Sequence, residues 1–332
     1  MSGAWDEPAY TFNQGDARSP FERSANFGFR CAKYAVTGAA AKAADPVILP
    51  TRDFNREKPV SDALFQVYKS LYSYDKTPLN AVTEPFGETP DWKEEKITFD
   101  AAYGNERVIA FLFLPKNASP PYQTVIYFHG ADAFYERSSE MLNRGYLKDL
   151  DFIVKGGRAV MFVEFKGMFD RWDNLFSMPR GSSFYRDHVF AWSKDLGRSL
   201  DYLETRPDID GNKFAYEGVS MGAAMGALLP SVEPRLKVLL LMSPGFYLQK
   251  RLPEADQRNF APHIKIPVLM LNGKFDFIFP VDLSQEPLFR EVGTPANQKL
   301  RIVYNCGHDL PRAEESKESL MWLDQYLGQV KR

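Results

Sequence analysis

Cysteine is scarce in this sequence: the chain of 332 residues has two, Cys31 and Cys306. Two cysteines exclude a disulfide-rich scaffold, although one disulfide between them is arithmetically allowed. Because no cluster of cysteine and histidine is present, the sequence predicts no metal site, and we expect no other cofactor. Low cysteine content is typical of a reducing compartment, so we expect a cytoplasmic protein.

Long apolar runs and an excess of charge are absent as well. No stretch of about 18 apolar residues occurs, so the sequence predicts no transmembrane helix. The N-terminal residues lack the basic start and apolar run of a secretory signal. The chain has 41 Lys and Arg against 43 Asp and Glu, a formal net charge of -2. This balance gives no reason to expect nucleic acid or a membrane surface as partner.

Apolar residues are abundant and unevenly organised. Hydrophobic residues make up 44% of the chain, and aromatic residues 14%. Residues 1–45 are rich in Gly, Asn, Ser and Pro and show no helical or strand period, whereas regular patterns begin near Val47. We therefore divide the chain into an N-terminal extension, residues 1–45, and one large domain, residues 46–332.

Strand and helix patterns alternate along the large domain. The segment 94–115 predicts a hairpin around a Gly-Asn turn. Helical spacing covers 136–155, 187–205 and 312–328, and a further helix is predicted to begin at Met221. Six further apolar runs predict buried strands at 124–130, 158–165, 213–220, 237–244, 267–273 and 299–305. The prediction is an α/β fold: a mainly parallel eight-stranded sheet with an antiparallel N-terminal hairpin and helices on both faces.

The strongest chemical motif is Gly218-Val219-Ser220-Met221-Gly222. It falls where a predicted strand meets a predicted helix, which is the context of a nucleophile elbow. There the serine hydroxyl projects above the sheet edge at a helix N-terminus, which favours developing negative charge. We predict Ser220 as the nucleophile of a hydrolase.

A serine nucleophile needs a general base, and the chain has 4 histidines. Only His308 follows the last predicted strand, at the sheet edge where sites form in open α/β folds. His188 lies inside a helical pattern beside Asp187, which indicates a surface or interface position. His129 is expected to support the loop after strand 124–130, and His263 to lie at the opposite sheet edge. We predict His308 as the base.

The base needs an orienting carboxylate, and two candidates follow strand 267–273. Asp276 comes directly after the strand, whereas Asp282 is expected in the first turn of the next helix, where a carboxylate has a capping role. We favour Asp276. The order Ser220, Asp276, His308 is the order typical of α/β-hydrolases.

The oxyanion of a tetrahedral intermediate needs two donors. The backbone N–H of Met221, after the nucleophile, is one candidate. The second is expected in the loop after strand 124–130, where we prefer Ala131 and leave Gly130 and Asp132 open.

Residues 50–330 resemble the α/β-hydrolase superfamily, close to its dienelactone hydrolase and prolyl-oligopeptidase-like branch. The His129-Gly130 loop, the elbow, the Asp276 turn and the terminal His308 carry this resemblance. A narrower likeness involves 192–195, 201–206 and 322–328, which resemble hydrolase modules fused to bacterial serine/threonine protein kinases. The stretches 3–8, 19–24 and 28–31 resemble the C-terminal end of formylglycine-generating-enzyme-like domains. This implies that the extension is a remnant of an upstream domain.

The pocket walls are predicted less directly. The segment from Pro244 to Ile266 leaves room for a minimal lid only. The loop 166–186 is rich in apolar side chains, and Phe169, Trp172 and Phe176 are candidate substrate contacts. Little lid and no large apolar helix argue against a lipase acting at an oil interface.

The resulting prediction is a serine carboxylesterase for short- to medium-chain esters, with a small-molecule ester as its partner. An oligopeptidase and a catalytically silent regulatory module of a kinase fusion are the alternatives. Dienelactone hydrolases use cysteine where this elbow has Ser220. The extension is also a candidate surface for formation of a homo-oligomer.

Overall fold

The computed structural model describes residues 52–138, 147–175 and 180–331. The N-terminal extension, Cys31 and Phe176 lie outside these residues. Within them, six α-helices are α1 (Asp62–Ser70), α2 (Leu147–Lys155), α3 (Ser183–Glu204), α4 (Met221–Met225), α5 (Glu286–Glu291) and α6 (Arg312–Leu327).

One sheet of nine strands forms the centre of this part of the molecule. In chain order the strands are β1 (Val82–Glu88), β2 (Trp92–Asp100), β3 (Arg107–Pro115), β4 (Tyr122–Phe128), β5 (Ala159–Glu164), β6 (Ile209–Val219), β7 (Leu236–Met242), β8 (Val268–Gly273) and β9 (Lys299–Tyr304). Their spatial order is β1-β2-β3-β5-β4-β6-β7-β8-β9. In this spatial order, the first three neighbouring pairs, from β1 to β5, are antiparallel. The remaining five pairs, from β5 through β4 to β9, are parallel.

The predicted count of eight strands is wrong by one. The additional strand is β1, whose seven residues are all exposed. Its sequence VTEPFGE contains Pro85 and Gly87, which weaken strand propensity, and the register with β2 shifts between them. An edge strand of this kind is held by main-chain pairing with β2, so it has no buried face that could produce an alternating pattern.

Helices cover both faces of the sheet, as predicted. Trp192 of α3 contacts the ring of Phe128 at 5.7 Å between centroids. Burial raises the pKa of the phenol of the neighbouring Tyr127, and the carboxylates of Asp149 in α2 and Glu315 in α6 raise it further. Tyr127 and Phe128 are consecutive residues of β4, and consecutive strand residues point to opposite faces of the sheet. Helix α3 therefore lies on one face, and α2 and α6 lie on the other.

Several helix boundaries differ from the predicted ones. Helix α3 begins at Ser183, before the predicted start at Asp187, because the Ser182 side chain caps it by accepting a hydrogen bond from the Tyr185 N–H. Residues 136–138 are not helical, and α2 begins at Leu147. The connection between β7 and β8 contains only short 3₁₀ turns, Pro253–Ala255, Gln257–Asn259 and Ala261–His263.

In the three described ranges, no helix combines the length and the apolarity needed to cross a bilayer.

Candidate active site

The site lies at the carboxyl ends of β6, β8 and β9, which run parallel and therefore end at the same edge of the sheet. Ser220 follows β6, Asp276 follows β8, and His308 follows β9. The structure brings these three predicted residues together although they are far apart in sequence.

A chain of hydrogen bonds joins the three side chains. His308 Nε2 lies 2.7 Å from Ser220 Oγ, and His308 Nδ1 lies 2.8 Å from Asp276 Oδ2. A carboxylate can only accept, so Nδ1 donates to Asp276. Nε2 of the neutral ring then accepts from the Ser220 hydroxyl. This is the arrangement in which an imidazole can remove a proton from a serine.

Asp276 is held more firmly than its rival. Its carboxylate is buried, and Oδ1 accepts from the backbone N–H groups of Ile278 and Phe279 at 2.8 and 3.0 Å. Asp282 is exposed in the first turn of the π-helical segment Val281–Gln285. Only Asp276 therefore has the position and the fixed orientation to contact His308.

The backbone of the elbow is strained at Ser220. Ser220 has φ 53° and ψ -108°, in the left-handed half of backbone space that L-residues seldom occupy. A side chain at Gly222 would overlap the carbonyl oxygen of Phe128, and one at Gly218 would overlap the backbone of Gly222. The two motif glycines are thus needed because β4, β6 and α4 approach so closely here.

The two predicted oxyanion donors both begin helical turns beside Ser220. Met221 is the first residue of α4, and Ala131 is the first residue of the 3₁₀ turn Ala131–Phe134. N–H groups in a first turn have no acceptor within their own helix, so they are free to face a ligand. Gly130 lies against Ser220, since a Cβ built there would be 3.7 Å from Ser220 Cβ.

His129 supports the loop that carries Ala131. The imidazole is fully buried, and its Nε2 lies 2.7 Å from the carbonyl oxygen of Val163. Burial lowers the pKa of His129 to about 3, so the ring stays neutral and donates from Nε2. Its own carbonyl accepts from the Gly222 N–H at 3.1 Å, which ties the loop to the elbow.

His188 lies elsewhere than its helical pattern indicated. Of the two predicted positions, surface or interface, the surface position is wrong, because His188 is only 4% exposed. Its Nε2 is 2.7 Å from Asp173 and its Nδ1 is 2.8 Å from the Phe184 carbonyl. His263 stacks on Phe65 at 3.4 Å between ring centroids. Neither histidine contacts Ser220.

The predicted pocket residues have different environments. Phe169 is 1% exposed, and its ring packs on His129 at 4.8 Å and on Phe162 at 5.5 Å. It therefore supports the loop after β4 from inside. Trp172 is 39% exposed, with the Arg137 guanidinium 3.8 Å from its ring centroid.

The sequence analysis missed residues that hold the loops in place. Ser243, buried after β7, donates from Oγ to the His308 carbonyl at 2.5 Å. Gln285 donates from Nε2 to the carbonyls of Gly273 and Phe279, at either end of the turn that carries Asp276. Nothing in the local pattern around these residues marks them, because each acts on a backbone carbonyl, which any residue type provides.

Comparison with known proteins relates the chain to hydrolases and esterases. YtaP of Bacillus subtilis, a protein named as a hydrolase, is 26% identical over 76% of this chain and 94% of its own length. Cutinase est2 of Thermobifida alba is 24% identical, over 43% of this chain and 47% of the cutinase, so the chain spans about half of that relative. No family model matches the chain.

The fold comparison agrees. The acetyl xylan esterase of Paenibacillus sp. R4 superposes with a TM-score of 0.62 at 17% identity, over 88% of this chain and all of that one. The chain thus has the α/β-hydrolase fold, which confirms the predicted fold class. Its sequence relatives are hydrolases and esterases. The likenesses to kinase-fused modules and to formylglycine-generating-enzyme-like domains stay predictions.

Proposed function

We propose that this protein is a serine carboxylesterase that hydrolyses short- to medium-chain esters through an acyl-enzyme on Ser220. The observation that carries the proposal is the hydrogen-bonded series Ser220, His308 and Asp276, on a strained elbow of an α/β-hydrolase fold. Similarity to proteins named as cutinase and acetyl xylan esterase supports ester bonds as the target.

Acylation begins at the Ser220 hydroxyl. As Oγ attacks the ester carbonyl carbon, His308 Nε2 takes the hydroxyl proton. The imidazolium that forms is stabilised by Asp276, which also keeps Nδ1 protonated throughout. The carbonyl oxygen becomes an oxyanion, and the N–H groups of Met221 and Ala131 donate hydrogen bonds to it.

Collapse of the tetrahedral intermediate releases the alcohol, which takes the proton from His308 Nε2. A water molecule then enters, gives its proton to the same nitrogen and attacks the acyl-enzyme. The acid leaves as Ser220 regains its proton. No step requires a metal or an organic cofactor.

Substrate size follows from the connections around the site. The connection between β7 and β8 has no α-helix, so this part of the chain offers no large apolar surface to a lipid interface. We expect esters with acyl chains of about two to eight carbons to react fastest. Trp172 is the described residue of loop 166–186 that we propose as a pocket wall.

The test is Ser220→Ala on p-nitrophenyl acetate and butyrate. Loss of the nucleophile should lower kcat on the order of 10⁴- to 10⁶-fold with the fold intact. A fluorophosphonate probe should label the wild type at Ser220, as read by peptide mass. Ser119→Ala, which changes an exposed serine, is the matched control and should keep full activity.

If Ser220→Ala retains more than a few per cent of the activity, the nucleophile is misassigned. Aminoacyl p-nitroanilides measured beside the esters decide the oligopeptidase alternative, since faster anilide than ester turnover would favour a peptidase. A chain that neither reacts with the probe nor turns over any ester would support the silent module.

A further inference from the structure

We propose that Arg251 binds a carboxylate carried by the substrate, so that the enzyme prefers esters with a second, ionised carboxyl group over neutral esters of equal size. This inference rests on the proposed esterase function and specifies its substrate class. Arg251 follows β7, in the connection that leads to β8 beside the site.

The observation is a buried cation, two of whose nitrogen atoms lack a hydrogen-bonding partner in the described part of the chain. Arg251 is 8% exposed, and its Nε and Nη1 atoms have no hydrogen-bond acceptor among the described residues. A guanidinium stays protonated at any pH that proteins tolerate. Burying it unpaired is costly, so a position of this kind indicates an acceptor that arrives with a ligand.

The other buried arginines of the described chain show the contrast. Arg158 pairs with Asp324 at 2.5 Å, Arg198 with Asp201 at 3.3 Å, and Arg258 with Glu291 at 2.8 Å. Each of these guanidinium groups has a carboxylate supplied by the protein itself. Arg251 has no such carboxylate among the described residues, so its role is not to form an ion pair that stabilises the fold.

The neighbours of Arg251 hold it in place without neutralising it. The guanidinium carbon lies 4.1 Å from the ring centroid of Tyr247 and 4.6 Å from that of Tyr185. Ring faces attract a cation but offer no acceptor to its N–H groups. Burial raises the pKa of the Tyr247 phenol, so that ring carries no charge to balance the arginine.

One set of ring contacts connects Arg251 to the proposed base. The Tyr247 ring lies 5.7 Å from that of Phe279, and the Phe279 ring lies 6.0 Å from that of His308. Phe279 belongs to the turn that Asp276 holds through its backbone N–H. The cation therefore lies on the side of the site where the triad is assembled.

A second set of contacts leads to the oxyanion loop. The Tyr185 ring lies 5.8 Å from that of Trp192, and the Trp192 ring lies 6.2 Å from that of Phe134. Phe134 ends the 3₁₀ turn that Ala131 begins. Arg251 is thus linked through side chains to both walls that flank Ser220, where an extended substrate would place its far end.

A second guanidinium adds positive charge at the same place. Arg180 lies 5.3 Å from the ring centroid of Tyr185 and 5.5 Å from that of Phe134. Both Arg251 and Arg180 lower the pKa of Tyr247 against the larger effect of burial. A carboxylate is the group that a guanidinium binds best in a planar, two-point arrangement, so an acid rather than a neutral chain fits here.

The experiment compares matched esters on the full chain. One pair differs in the acyl part, p-nitrophenyl hemiadipate against p-nitrophenyl heptanoate. The other differs in the alcohol part, 4-acetoxybenzoate against 4-acetoxybenzamide. For at least one pair, Arg251→Met should lower the ratio of kcat/KM for the anionic over the neutral ester by about tenfold or more. Lys250→Met, which removes an exposed charge next to it, should leave both ratios unchanged.

A binding measurement covers the case in which the variant folds poorly. Adipate should inhibit heptanoate hydrolysis by the wild type more strongly than adipamide at constant ionic strength. Adipate should also raise the Tm of Ser220→Ala, and this rise should vanish when Arg251→Met is added.

Two negative results have different meanings. If all four esters are cleaved but the ratios are the same in wild type and Arg251→Met, the carboxylate site is wrong and the esterase proposal stands. If no ester is cleaved and Ser220 resists the fluorophosphonate, the esterase proposal is wrong. In that case the rise in Tm of Ser220→Ala on adding adipate still tests the Arg251 site. If adipate does not raise Tm, the proposed carboxylate site is wrong.

Discussion

At the scale of single residues, two aspartates near the end of β8 differ by how they are held. Asp276 has one oxygen fixed by two backbone N–H groups and the other hydrogen-bonded to His308, whereas Asp282 is exposed in a helical turn. A carboxylate can orient an imidazole only if its own direction is fixed. The position of Asp276 satisfies this condition.

We predict that Asp276→Asn lowers kcat on the order of 10⁴-fold, because an amide no longer stabilises the imidazolium or the correct tautomer. Asp282→Asn should leave kcat nearly unchanged and lower stability by about 1 kcal/mol or less. Steady-state kinetics on both variants, with thermal unfolding as a check of folding, measures the difference. The reverse pattern would assign the orienting role to Asp282.

At the scale of elements, the site depends on how closely β4, β6 and α4 pack. We predict that Gly222→Ala destabilises the protein by about 1–3 kcal/mol, because the new Cβ would overlap the Phe128 carbonyl oxygen. Activity should fall with it, since Phe128 leads into the loop that carries Ala131. Thermal unfolding and p-nitrophenyl acetate turnover give the two readouts.

Gly211→Ala is the matched control, because a Cβ at Gly211 would meet only Glu204 Cγ, at 4.0 Å. It should change neither stability nor activity appreciably. Equal losses in the two variants would mean that the close approach at the elbow has no special importance.

Helix α6 supplies a pH-dependent contribution to stability. Burial, and then Asp149 and Asp309, raise the pKa of Glu315 from 4.5 to about 7, against the opposite effect of Arg312. Because the folded protein holds this proton more tightly than the unfolded chain, the stabilisation is complete below pH 4.5 and is lost as pH rises through 7.

We therefore predict that Glu315→Gln, which cannot lose a proton, gains stability relative to wild type as pH rises from 4.5 to above 7. The relative gain should reach about 3 kcal/mol over this range, and Tm measured at pH 5 and pH 8 would show most of it. Glu314→Gln on the same helix is the control. A difference in Tm that does not vary with pH would contradict the assigned cause.

At the scale of the whole molecule, the question is what residues 1–45 contribute. The segment is short and its sequence shows no regular period, so we expect its aromatic residues to need a surface of the large domain or of a second chain. All residues of the triad and both proposed oxyanion donors lie between 131 and 308. The extension is thus predicted to act on stability or association and not on the chemistry.

We predict that deletion of residues 1–45 lowers Tm or changes the oligomeric state, while Ser220-dependent hydrolysis of acetate esters persists. Thermal unfolding and light scattering after size-exclusion chromatography measure the first effect, and p-nitrophenyl acetate turnover measures the second. A shortened chain that folds but has lost turnover as fully as Ser220→Ala would show that the extension supplies part of the site.

The sequence by itself determined much of the architecture, because buried strands and the elbow each depend on residues that are close together in the chain. Buried parallel strands require continuous apolar runs, and these runs located six of the nine strands, while the Gly-Asn turn located the hairpin of β2 and β3. The elbow is equally local, since its turn requires small residues on both sides of Ser220. The positions of Ser220, Asp276 and His308, each after a predicted parallel strand, predicted one common edge, because parallel strands end together.

Tertiary structure alone decided the features that depend on contacts between distant segments. Strand β1 exists through pairing with β2, and His188 is buried because Asp173 and the Phe184 carbonyl bind both of its ring nitrogens. The support of His308 by Ser243 joins residues 65 positions apart. That Nε and Nη1 of Arg251 find no acceptor among the residues that the structure describes is visible only in the folded chain, because burial and pairing are properties of the packed chain and not of a residue's neighbours in sequence.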